Sequence, residues 1–377
     1  MKNRPISKLL LSGIIVISFF IPAQAQLDKL GTLIPYQENA GILLKEYIRP
    51  YTNALGTDLS SGWYNTAKPH KTLGFDITFT LNTTFVPDAH KHFNPQELGL
   101  TDITTTATSS PTAMGDNDPG AVLIYEDDFG VLSEPEEVAK FKLPKGTGMG
   151  FAPAPMLQVG LGLVKGTEIM GRYVPDMQFG NQAEIGMWGL GVKHSIKQWI
   201  PAINKLPILH LSIMAGYTKL NSKTGLHLMP ESYVEADLVE KNDVEGYDPA
   251  SDSYNNTYYN NQQMMLEMSS FTTNLLVSAN LPVVCFYGGV GFNTVNTNLA
   301  LNGNYPMIGL DGVTPVVRQD DAVKDPVDMQ IKHQGGNTTN PRYNLGVRFK
   351  FAVITLHFDY TYADYSVASG GLGISFR

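Results

Sequence analysis

Apolar and polar residues alternate along much of this chain, most cleanly over residues 342–377. Tyr343, Leu345, Val347 and Phe349 share one side while Asn344, Gly346, Arg348 and Lys350 take the other, the period of a strand with one apolar face. After a break at Lys350 and Phe351 the pattern resumes, with Ile354, Leu356, Phe358, Tyr360 and Tyr362 set against Thr355, His357, Asp359 and Thr361. A third run sets Ala368, Gly370, Leu372, Ile374 and Phe376 against Ser369, Gly371, Gly373 and Ser375. Upstream, Leu73, Phe75, Ile77, Phe79 and Leu81 face away from Gly74, Asp76, Thr78, Thr80 and Asn82. Further strands are predicted at 157–163, 169–173, 183–193, 209–218, 271–277 and 284–292, about ten in all.

Two stretches follow the helical period instead. In 39–55, Leu43, Leu44, Tyr47, Ile48, Tyr51 and Leu55 form one stripe, with Asn39 as N-cap, Pro50 as a bend and Gly56 as the stop. In 194–207, Ile196, Trp199, Ile200, Ile203 and Leu206 suggest a short amphipathic helix lying at an interface or capping one end.

The strands predict an all-β fold, an antiparallel transmembrane β-barrel of about ten strands, rising to fourteen if hairpins hide in the loops. The apolar runs match the roughly 9–11 residues a membrane strand needs. Tyrosines end the apolar face near residue 362, as in an interfacial girdle. Alternating strand directions back from the last one places the turns near Lys350, Leu281, Trp199 and Gly166 on one side, the periplasmic one. Three long loops, near 86–150, 221–262 and 298–341, then fall outside, and the N-terminal helix of segment 26–71 falls on the periplasmic side or plugs the barrel. A soluble sandwich gives no reason for long and short loops to segregate.

The first residues add an address. Met1, Lys2, Asn3 and Arg4 precede an apolar run ending in Ala23, Gln24 and Ala25, which reads as a secretory signal peptide over 1–25 cleaved before Gln26. No other run approaches the ~20 apolar residues of a spanning helix. Charged residues make up 16%, below the ~25% of soluble domains. The net charge of −8, deepened by loss of Lys2, Arg4 and Lys8 with the leader, argues against nucleic acid as a partner. A single cysteine, Cys285, excludes an internal disulfide and a cysteine-based metal site.

Enzyme signatures are missing: no G-x-S-x-G elbow, H-E-x-x-H or P-loop occurs, and the glycine runs lie on strands. No catalysis, cofactor or metal is therefore expected. The pair His90 and His92 lies in a polar loop with no third ligand, and the acidic groups at 116–118, 243–252 and 320–328 read as solvated loops ahead of Ca²⁺ sites. Strand parity turns Asp76, Glu168, Arg172, His210, Arg348, His357 and Asp359 inward, as candidates to line a lumen. They would either lock a narrow barrel as a charge network or line a solute path.

The stretches 62–70 (GWYNTAKPH), 191–201 (GVKHSIKQWIP) and 345–365 (LGVRFKFAVITLHFDYTYADY) resemble an uncharacterised family of exported Bacteroidota proteins, taken to be outer-membrane barrels of unknown function. In arrangement alone, the N-terminal helix before the first strand is similar to the hatch of the long-chain fatty-acid transporters. These resemblances imply a place in the outer membrane, lipid around the barrel and insertion by the barrel assembly machinery. The expected function is porin-like passage or binding of a small hydrophobic solute without catalysis. The alternative is a closed structural or interaction barrel whose outer loops bind a partner.

Overall fold

The computed structural model describes residues 37–127, 136–179, 183–235, 239–255, 257–312, 314–332 and 339–376. The expected signal peptide lies outside them. Among the described residues one α-helix, α1 (Gln37–Ser60), precedes ten long strands. These are β1 (Phe75–Phe85), β2 (Phe151–Gly162), β3 (Thr167–Phe179), β4 (Ala183–Ser195), β5 (Leu209–Gly225), β6 (Gln263–Asn280), β7 (Val284–Asn302), β8 (Thr339–Phe351), β9 (Ile354–Tyr362) and β10 (Val367–Phe376).

Each strand pairs antiparallel with its neighbour in sequence, and β1 pairs with β10 from Phe75↔Phe376 to Thr84↔Val367. The ten strands therefore form a closed ring with no free edge. At one end the connections are short, at 163–166, 196–208, 281–283 and 352–353. At the other lie the three long ones, 86–150, 226–262 and 303–338, together with connections of three and four residues at 180–182 and 363–366. A short strand, Val327–Ile331, extends the long-loop end of β7.

Side-chain exposure follows the parity expected of a barrel wall. Along β1, Phe75, Ile77, Phe79, Leu81 and Phe85 are exposed, while Asp76, Thr78, Thr80, Asn82 and Thr84 are buried inside. Higher up, the polarity reverses. The outward residues of β7 are Val284, Phe286, Val290 and Phe292 and then Thr294, Asn296 and Asn298, while inward Cys285, Tyr287 and Asn293 give way to Leu299 and Leu301. The same crossover separates Tyr217 from Lys219 on β5 and Phe271 from Ser269 on β6, and Tyr217 and Phe271 are paired neighbours. The lower wall is apolar outside and polar inside, and the upper wall is built like a soluble protein, with a dry core.

That core is where α1 begins. Leu43, Leu44, Tyr47, Ile48, Leu55 and Leu59 pack with Leu266, Met268, Leu299, Leu301, Val327 and Ile331 from the wall and its extension. Asn39 is held among the long loops by reciprocal hydrogen bonds with Thr101, donating to its O at 2.7 Å and accepting from its N at 2.9 Å. The helix thus enters from the long-loop end and lies in the lumen.

It also runs further than expected, through Pro50 and Gly56 to Ser60. A Cβ at Gly56 would come within 2.5 Å of the Val295 side chain, so this glycine permits a close approach to the wall rather than stopping the helix. Pro50 forfeits one helical hydrogen bond, but Ile48, Ala54 and Leu55 around it are buried and hold the helix in place. The helix expected over 194–207 is broken up: β4 continues to Ser195, a 3₁₀ turn covers Lys197–Trp199, and only Pro201–Asn204 is α-helical, with Pro201 in its first turn.

Candidate functional site

The lower lumen is filled by the end of α1 and by residues 61–74, which descend to the start of β1. A helix leaves its last carbonyls unpartnered and carries partial negative charge there. The last turn of α1 contains no basic residue, and the barrel supplies the cations instead. Arg172 on β3 donates from Nη1 to Leu59 O at 3.2 Å and from Nη2 to Ser61 O at 2.7 Å. Arg342 on β8 donates to Ser60 O at 2.6 Å. Thr218 on β5 donates to Leu59 O at 3.1 Å, and Asn82 on β1 to Asp58 O at 3.1 Å. Four strands grip one helix end.

Below it, Trp63 occupies a slot made by three glycines. A Cβ at Gly191 or Gly216 would lie 2.8 or 2.7 Å from its ring, and one at Gly189 3.3 Å away. Arg172 stacks over the same ring at 3.8 Å, a cation–π contact. Gln158 joins the two, accepting from Arg172 Nε at 3.0 Å and donating to Trp63 O at 3.1 Å. Further down, Ser278 Oγ accepts from Ala67 N at 3.1 Å, and Ser212 donates to Ala67 O.

At the short-turn end the segment is latched by charge. His70 N donates to Glu168 Oε2 at 2.8 Å, its Nδ1 lies 2.9 Å from the same oxygen, and its Nε2 lies 3.1 Å from Ser375 Oγ. Lys193 Nζ sits 3.0 Å from Glu168 Oε1. His70, Asp76 and Glu168 bring their ligand-type atoms within 4.8 Å of one another, a set that could in principle hold a divalent ion. Yet Glu168 is already neutralised by Lys193, and Asp76 Oδ2 accepts from Thr78 at 2.7 Å. The chemistry these groups perform here is that of a hydrogen-bonded clasp.

The residues singled out by parity occupy three levels. Arg172 belongs to the helix grip. Asp359 lies in a network in which Tyr287 donates to its Oδ2 at 2.9 Å and Asn344 to its Oδ1 at 2.8 Å. Asp76 and Glu168 lie at the clasp, while Arg348 and His357 are paired neighbours on β8 and β9. All six are buried, and His210 is half-buried on β5 with Nε2 unpartnered. Sequence reasoning missed Arg342, Lys193, Trp63 and His70. Arg342 shares its face with Asn344 and Arg348, and Lys193 on β4 is the cross-strand partner of Glu168, so parity could have found both. The other two act through the path of the descending segment, which no periodicity encodes.

The loop candidates behave otherwise. His90 Nδ1 is 2.9 Å from Tyr365 Oη, and His92 lies 3.9 Å from Asp116, so the two histidines serve different neighbours. Asp252 is 3.0 Å from Lys241 and accepts from Tyr247 at 2.8 Å, contacts that hold its carboxyl below the usual range. Among the described residues, no set of three loop acids gathers at ligand distance.

A profile described as a family of unknown function (DUF6588) matches residues 1–376. No curated protein matches the sequence. Among solved structures, the outer membrane protein OprG from Pseudomonas aeruginosa is 12% identical over 83% of this chain and 100% of that one, with a TM-score of 0.29. The translocator domain of the autotransporter NalP from Neisseria meningitidis is 9% identical over 87% and 93%, with a TM-score of 0.28. The toluene transporter TodX from Pseudomonas putida is 9% identical over 86% and 96%, with a TM-score of 0.25. Scores this low transfer no function to this chain.

Proposed function

The chain belongs to the family of unknown function DUF6588, so its role has to be argued from its own barrel, and we propose that it is a plugged outer-membrane β-barrel that passes a small polar solute without catalysis. The band of exposed apolar side chains on the lower wall, from Phe75 round to Phe376, suits contact with hydrocarbon. In this reading the short turns face the periplasm and the long loops face outward.

The observation that carries the proposal is how the lower lumen is filled. A barrel built only to be closed is best served by an apolar core, because buried polar atoms without partners are costly. Here Tyr64 Oη, His210 Nε2, Asn274 Oδ1, Asn293 Oδ1, Arg348 Nε and His357 Nδ1 have no protein partner. The plug is held by polar contacts to its backbone, which water and solute can replace. The same lining argues against the hydrophobic solute suggested by the sequence.

Liposome swelling tests the proposal. Vesicles containing the protein should admit small polar solutes, and faster when both arginines at the helix end are replaced by alanine. Vesicles that remain impermeable with that variant correctly folded would refute passage and leave the closed barrel.

A further inference from the structure

The short-turn mouth of the lumen holds more cation than anion. Arg348 is 7% exposed, its Nε has no partner, and among the described residues the guanidinium makes neither a hydrogen bond nor an ion pair. Its cross-strand neighbours are Cys285 and His357, and neither supplies a counter-charge. His357 Nε2 lies 3.4 Å from Thr80 Oγ1, and its Nδ1 is unpartnered. Lys350 follows Arg348 on the same inward face, with Nζ 3.4 Å from Ser375 Oγ. Its ammonium lies within the field of both Arg348 and Lys68, the latter an exposed residue of the descending segment.

Two carboxylates, Asp76 and Glu168, act on Arg348 through their field, but neither forms an ion pair with it. Glu168 is committed to Lys193 at 3.0 Å and to His70 at 2.9 Å, and Asp76 to Thr78 at 2.7 Å. Arg348, Lys350, Lys68 and Lys193 thus share a mouth with two occupied carboxylates. Only Nε of the Arg348 guanidinium is buried away from solvent, so its two terminal nitrogens remain open to the lumen with no ion-pair partner, and the planar fork fits an oxyanion with two parallel hydrogen bonds.

We propose that this mouth is a binding site for a small free oxyanion, a carboxylate or phosphate, gripped by Arg348 and steered by Lys350 and Lys68. The inference rests on reading the lumen as a solute path, and it names the class of solute. Anions entering from the short-turn side meet Lys68 and Lys350 first and reach Arg348 beyond the clasp. Increased local anion concentration follows from a cationic, low-dielectric entrance.

Calorimetric titration of the detergent-purified full chain with inorganic phosphate, and separately with succinate, tests the site. We expect saturable binding that Arg348→Gln weakens by roughly tenfold to a hundredfold, as charge-assisted hydrogen bonds are lost. Arg348→Lys should retain part of it. Lys68→Gln, at an exposed position where misfolding is not an issue, should weaken it several-fold. Cys285, beside Arg348, gives a second readout: an anionic methanethiosulfonate should modify it faster than a cationic one, and phosphate should protect it.

No binding of either anion, or binding unchanged in all three variants as for an adventitious ion only, overturns the site. So does a response confined to vesicles bearing lipid phosphate. Liposome swelling separates the two ideas: arginine-dependent binding without flux supports the site and removes the path, while flux without such binding leaves the path and removes the site.

Discussion

Arg172 and Arg342 do for α1 what its own last turn does not, placing positive charge at its carbonyl end. Replacing either with alanine leaves one carbonyl inside the barrel without its arginine donor, Ser61 O for Arg172 and Ser60 O for Arg342, at about 1–3 kcal/mol. Faster amide exchange in α1, with the strands still protected, is the expected result, and uniform loss of protection would mean the arginines support the wall instead. Gly191→Val addresses the Trp63 slot: overpacking the ring costs about 1–3 kcal/mol, and indole fluorescence should report its displacement while the barrel remains folded. At this scale the candidate site was partly legible. Parity turned Asp76, Glu168, Arg172, Arg348, His357 and Asp359 inward because a closed wall enforces a period of two. It said nothing of what they would meet. Trp63 and His70 lie in a segment with no repeating geometry, and only the folded path of residues 61–74 brings them to Arg172 and Glu168.

The strands carry two environments. β5, β6 and β7 are 17, 18 and 19 residues long, well beyond the ~9–11 that hydrocarbon requires. Their lower parts were readable from the sequence, and their upper parts looked like loop. The reason is the exchange of faces: above Tyr217, Phe271 and Phe292 the apolar residues move to the inner side, so a pattern followed on one face ends there. The same logic explains α1, where Gly56 resembled a stop because the nearness of Val295 is a tertiary fact. A charge scan along one face locates the boundary. Val290→Arg should destabilise the inserted barrel by about 2–4 kcal/mol, and Asn296→Arg, on the same face of β7, by about 0–1 kcal/mol. Folding titrations in lipid vesicles measure both, and equal effects would place Val290 outside hydrocarbon.

In the whole molecule, α1 joins two regions of unlike stability. Its first half belongs to the dry core beneath the long loops, where truncating Leu43 or Leu299 to alanine should cost about 2–5 kcal/mol. Its end and the residues after it are held by polar contacts in the lower lumen. A solute path therefore opens by release of the lower segment, with the upper core as the anchor about which it moves. Locking that segment to the wall tests this account most directly. A Cβ at position 56 would lie 3.3 Å from the Cβ of Val295, close to the spacing of a disulfide. In a Cys285→Ser background, the Gly56→Cys, Val295→Cys pair should oxidise readily, and liposome swelling should be abolished when it is oxidised and restored when it is reduced. Failure of the pair to oxidise, or flux indifferent to the bond, would contradict a lumen gated by its own N-terminal segment.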